Sequence, residues 1–84
     1  MTEKTISVNF LGIQRRVTGE DAINIEMPDK MRVIDVIELV KNRYPGLDLD
    51  KGAVITTVNQ EKASADRVLK AGDIISFLPY ISGG

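Results

Sequence analysis

An 84-residue chain with 43% hydrophobic and 27% charged residues has the composition of one small globular domain, and a chain of this size buries about 60% of its unfolded surface. Neither Cys nor His occurs, which excludes disulfide staples, thiolate and imidazole metal sites, a thiol nucleophile and an imidazole base. A formal net charge of −1, 5% aromatic residues and one adjacent basic pair, Arg15 and Arg16, give neither the positive field nor the stacking platform of a nucleic-acid surface.

The N-terminal residues show no cationic stretch leading into an apolar one, and no apolar run approaches the ~20 residues that span a bilayer. A soluble, cytoplasmic protein without a membrane partner is expected. In "TISVNF" the apolar residues Ile6, Val8 and Phe10 alternate with polar ones, the period-two pattern of a strand with one face toward a core. Gly12 and Gly19 bracket the polar stretch "IQRRVT", and "AINIEM" then alternates again through Ile23, Ile25 and Met27. These segments predict a hairpin with a long connection.

Pro28 stops the second strand, and Asp29 is the candidate cap of a helix just beyond it. Over residues 32–44 the period changes: Val33, Val36, Ile37, Val40 and Tyr44 form one apolar stripe, the signature of an amphipathic helix. Asp35 and Glu38 lie early and Lys41 and Arg43 late, matching the helix dipole, and Pro45 and Gly46 end the segment. Its β-branched content is high for a helix, so packing onto a sheet must stabilise it.

"AVITTVN" predicts a third strand that enters a polar turn at Asn59 and Gln60, and "EKAS" a short edge strand. After the turn signal Gly72-Asp73, "IISFLP" alternates Ile75 and Phe77 with Ile74, Ser76 and Leu78, and Pro79 stops it. The order predicts an α+β domain: a mixed sheet of four to five strands with one main helix on one face. With first and last strands adjacent and parallel, this is the β-grasp arrangement of ubiquitin-like domains. The domain is placed at residues 1–79, with residues 80–84 as a C-terminal tail.

No intrinsic catalytic site and no metal site are predicted, because the carboxylates are scattered; Asp21, Asp48, Asp50 and Asp73 fall in turns, where Asp bonds its own backbone. The glycines inside the chain fall at element boundaries as turn formers. The remaining feature is "LPYISGG", ending on Gly83 and Gly84. A terminal carboxylate is ionised at neutral pH and a poor electrophile, reactive only when activated, for instance by adenylation, and glycines fit a narrow channel because they lack Cβ. On the tail alone, that reading and simple terminal fraying stand level.

Taken together, "ISVNFLGIQRRVTG", "RVIDVIELVKNRYPG" and "VITTVNQEKASADRVLKAGDIISFLPYISGG" resemble the small sulfur-carrier proteins, in particular the molybdopterin synthase small subunit and, more distantly, the thiamine-pathway sulfur carrier. The resemblance covers nearly the whole chain, and its most specific part is the succession of "VNQ", "LKAGDIISFLP" and "SGG". It implies that Gly84, preceded by Gly83, is adenylated by a separate ATP-dependent activating enzyme and converted to a thiocarboxylate. In the molybdopterin branch the tail then enters a large subunit, which supplies the catalytic groups. No cofactor is bound by the carrier itself; the ATP belongs to its activating partner.

The resemblance further implies that Leu11 and Leu78 present apolar side chains to partners, that Arg15 makes a polar partner contact, and that Tyr80, Ile81 and Ser82 span the distance to the partner's site. Scattered surface hydrophobics are the plain alternative for the two leucines. Two departures stand out: Tyr80 replaces a common second proline, and Arg32 stands where a helix-capping Thr is common. Three functions are implied, in order: a sulfur carrier for molybdenum or tungsten cofactor synthesis, or for thiamine or amino-acid synthesis; a protein modifier conjugated through Gly84; and a non-covalent interaction module.

Overall fold

The computed structural model describes residues 4–50 and 52–80. Five strands and two helices occur in the order β1 (Thr5–Asn9), α1 (Ile13–Thr18), β2 (Ala22–Glu26), α2 (Val33–Arg43), β3 (Val54–Val58), β4 (Glu61–Lys62) and β5 (Ile74–Pro79). They form one sheet in the order β2-β1-β5-β3-β4. β1 and β5 pair in parallel and every other pair is antiparallel. The β-grasp expectation is met, with β5 at the centre of the sheet.

The alternating residues are those that bury. Ile6, Val8 and Phe10, Ile23 and Ile25, and Ile75 and Phe77 meet Val33, Val36 and Val40 of α2 in one core, where each buried aliphatic contributes ~1.5 to 3 kcal/mol. Phe10 also packs edge-on against Tyr44, with ring centroids 5.6 Å apart, which ties the end of α2 to the end of β1.

Two local expectations need correction. Residues 13–18, read as a plain connection, form the helix α1; six residues are less than two turns, too short to display a helical period. Gly19 closes it in the left-handed region at φ 75°, its N–H donating to the Arg15 carbonyl at 2.8 Å, which is the glycine stop signal of a helix end. The cap of α2 is Arg32 and not Asp29. A guanidinium has no acceptor to offer, so the helix start is satisfied from elsewhere. The Asp35 carboxylate accepts the Arg32 N–H at 2.9 Å, and the N–H groups of Val33 and Ile34 donate to the carbonyls of Arg67 and Ala65, both at 3.0 Å. The returning loop thus takes the place of a capping side chain.

At the end of the sheet where β5 begins, Asn59 and Gln60 both have positive φ, 52° and 72°, as a tight turn between β3 and β4 requires. Asn59 Nδ2 donates to Asp73 Oδ1 and the Ile74 N–H donates to Asn59 Oδ1, each at 2.9 Å. Asp73 Oδ2 in turn accepts the Lys70 N–H at 2.8 Å. The "VNQ" and "AGD" segments are therefore two halves of one hydrogen-bonded knot. Asn59→Ala, which loses these bonds and strains the backbone, is predicted to cost ~2 kcal/mol, with Asn59→Gly costing less because glycine tolerates the dihedral. Urea denaturation midpoints of the two variants check the order.

Candidate functional site: the exit of the last strand

Because β1 and β5 run in parallel, the residues just after β1 lie at the same end of the sheet as the point where the chain leaves β5. The parallel pairing reaches Asn9 opposite Ser76 and stops there. β1 then turns through Phe10 and Leu11 to Gly12, whose φ of 53° suits a residue without Cβ, and enters α1. β5 continues for three residues along β3, with Ile55 opposite Leu78 and Val54 opposite Pro79. One residue further, the Tyr80 N–H donates to the Ala53 carbonyl at 3.1 Å.

The side that β1 has vacated is filled by Gln14. Its side chain, 5% exposed, donates from Nε2 to the Phe77 carbonyl at 2.8 Å and accepts the Leu11 N–H on Oε1 at 3.0 Å. The strand exit is thereby held on both edges. On the surface around it, Leu78 and Tyr80 are 40% and 50% exposed, and Ile55, the cross-strand neighbour of Leu78, is half-buried. Tyr80 and Ile55 also line an open cleft of about 420 Å³ beside Ile34 and Ile37 of α2. An apolar surface thus adjoins the exit.

Among the residues expected to serve the site, Leu11, Arg15, Leu78 and Tyr80 gather at this end. Leu11 is half-buried, with less of its side chain available than an exposed position gives. Arg15 donates from Nε to the Phe10 carbonyl at 3.0 Å and approaches Asp21 at 3.8 Å, both side chains being largely in solvent, so the pair is worth under ~1 kcal/mol. Its backbone bond orients the guanidinium at the end of β1. Ile81, Ser82, Gly83 and Gly84 lie outside the described residues. Among the described residues no three carboxylates converge as metal ligands, and no helix is long and apolar enough to cross a membrane.

Sequence reasoning misses Gln14 and Ile55. Ile55 sits in a predicted strand, but its pairing with Leu78 depends on register across the sheet. Gln14 carries no local signal, since both its partners are made by the fold.

The profile of the ThiS family matches residues 8–84. The chain belongs to the ThiS family. It is 29% identical over 82 residues to the human molybdopterin synthase sulfur carrier subunit, covering 94% of this chain and 93% of that one. A solved structure from Pyrococcus furiosus, assigned to molybdopterin converting factor subunit 1, shares 30% identity with a TM-score of 0.79 over 92% of this chain and 98% of that chain. A Helicobacter pylori chain, solved as a complex of subunits 1 and 2 of molybdopterin-converting factor, superposes with a TM-score of 0.67 at 23% identity, over 95% of this chain and 99% of that chain. These likenesses extend through the whole β-grasp body.

If the exposed apolar residues at the exit serve recognition and not the core, their loss leaves the fold intact. Leu78→Lys and Tyr80→Ser are each predicted to change stability by less than ~1 kcal/mol, as measured by urea titration.

Proposed function

We propose that this chain is a sulfur carrier activated at Gly84, working in molybdopterin synthesis with a separate large subunit. The observation that supports it most is that the family match spans residues 8–84 and so takes in Gly83 and Gly84. The names of the curated relatives, both molybdopterin synthase sulfur carrier subunits, agree with it. On this reading the body, residues 1–79, is the docking element, and residues 80–84 reach into the partner's site.

The chemistry needs no side-chain nucleophile of the carrier. The Gly84 carboxylate attacks the α-phosphate of ATP on an activating enzyme, forming an acyl adenylate and releasing pyrophosphate. Hydrosulfide supplied by a sulfur donor then attacks the acyl carbon, forming the C–S bond as the bond to the AMP oxygen breaks, and leaves a terminal thiocarboxylate and free AMP. On the large subunit the thiocarboxylate sulfur attacks an electrophilic carbon of the acceptor, displacing an oxygen leaving group, and water then cleaves the resulting thioester, which leaves the acceptor as a thiol and regenerates the Gly84 carboxylate. The carrier binds no cofactor, and its dependence on ATP agrees with a cytoplasmic cycle. Leu11 and Leu78, with Ile55 beside them, supply apolar docking area at the exit, Arg15 a directed polar contact, and residues 80–82 the span to the reacting group.

Incubation with the activating enzyme, ATP and a sulfur donor is predicted to raise the intact mass by the difference between sulfur and oxygen. A validated activating enzyme that produces no such change refutes the carrier reading. Removal of Gly84 abolishes the mass change while leaving the thermal midpoint where it was, since a terminal residue adds little to the core. Leu78→Lys is predicted to raise KM for activation about tenfold with kcat retained, the pattern of a lost docking contact; steady-state kinetics with the carrier as varied substrate measure it.

A further inference from the structure

Gln14 is one of two buried polar side chains among the described residues, the other being Thr57, and it joins two backbone segments far apart in sequence. Phe77 lies one position beyond the last residue of β5 that β1 pairs, so its carbonyl faces the side where no strand remains. A buried carbonyl there needs a donor. The neighbouring Leu11 N–H, at the turn out of β1, needs an acceptor. A carboxamide supplies both from one rigid plane, and Gln14 does so at 2.8 and 3.0 Å. A carboxylate offers only the acceptor at neutral pH, and an aliphatic side chain offers neither.

The two tethered segments are those that the proposed function uses. Leu11 belongs to the docking surface, and Phe77 immediately precedes Leu78 and the exit. On the opposite edge β3 pairs β5 through the register from Thr57–Ser76 to Val54–Pro79, so the strand is bonded on both edges at Phe77, where the two edges together set the direction in which the chain leaves. We propose that Gln14 is a positioning residue, whose carboxamide locks the exit of the C-terminal segment to the docking surface so that Gly84 arrives aligned for attack on the ATP α-phosphate. The inference rests on the carrier reading above and assigns Gln14 no contact with substrate.

The test is steady-state turnover of the full chain by the activating enzyme, with ATP and a sulfur donor in excess and the carrier varied. Gln14→Glu keeps the side-chain length and the acceptor for Leu11 but loses the donor to Phe77, and its thermal midpoint is recorded so that the assay is run where it is folded. Its kcat is expected to fall about tenfold with KM within about twofold of wild type, since small misplacement of a reacting group costs rate more than binding. A folded Gln14→Glu chain with wild-type kcat overturns the proposal. So does a change confined to KM, which assigns Gln14 to docking alone. Gln14→Met provides the second arm should the Gln14→Glu chain not fold: it keeps the side-chain length, buries no charge and removes both hydrogen bonds of the carboxamide. Its kcat is expected to fall severalfold at unchanged KM, and a wild-type kcat overturns the proposal. Failure of the wild-type chain to turn over at all refutes the carrier reading instead, so the two failures are distinct.

Discussion

Three residue pairs, Ser7 with Ile74, Val8 with Ile75 and Asn9 with Ser76, join the first and last strands in parallel, and a parallel pair cannot be closed by a tight turn. The intervening chain must return from one end of the sheet to the other: β2 and β3 both run back against β1 and β5, and α2 joins these two strands while its valines cover the core face. The same pairing sends the loop after β1 and the segment after β5 to one end. Leu11 and Arg15 from the beginning of the sequence and the exit of β5 near its end thus become neighbours. The constraint is topological, so substitutions that preserve the strand pairing leave it in place.

Each end of β5 is then held differently. At its start, Asn59, Asp73 and Gly72 form a closed set of short bonds, the Gly72 N–H donating to the Thr5 carbonyl at 2.7 Å and the Ser7 N–H to the Asp73 carbonyl at 3.0 Å. That knot fixes the register of β5 against β1 and β3 together, and with it which side chains face the core. At its far end the ladder runs out on one edge, and a side chain, Gln14, takes over from a strand. The carboxamide thus does for the Phe77 carbonyl what a further residue of strand pairing would do.

The elements legible in the sequence are those whose stabilising contacts show as a period. Ile6, Val8 and Phe10 alternate and bury; Val33, Val36 and Val40 recur at helical spacing and bury. Features satisfied by distant partners leave no such trace. The start of α2 is satisfied by carbonyls at residues 65 and 67, some thirty positions away, so Asp29 carries the local capping signal while Arg32 holds the position. α1 escapes a reading by period because six residues are too few to show one, although Gly19 marks its end. At the exit, Leu78, Tyr80 and Arg15 are reached through family resemblance, whereas Ile55 requires the strand register and Gln14 requires the three-dimensional meeting of Leu11 with Phe77.

A carrier of this kind places opposite demands on adjacent parts of one small chain. Docking energy must come from the body, because terminal glycines have no side chains with which to bind. Interactions made equally in the bound ground state and the transition state lower KM without raising kcat. On the proposed reading, apolar contacts around Leu78 therefore set how often the carrier engages, and rate depends on how the engaged carrier presents its last residue. Between these two functions lies the short run from Phe77 to Tyr80. It is bonded to β3 along one edge and, at Phe77, to Gln14 on the other, so the chain leaves the body from a segment whose backbone is fixed by hydrogen bonds. On the proposed reading, order at the exit and the small size of the final residues are complementary: the first limits the search for a partner's channel, and the second lets that channel be narrow, since a glycine has no Cβ to admit.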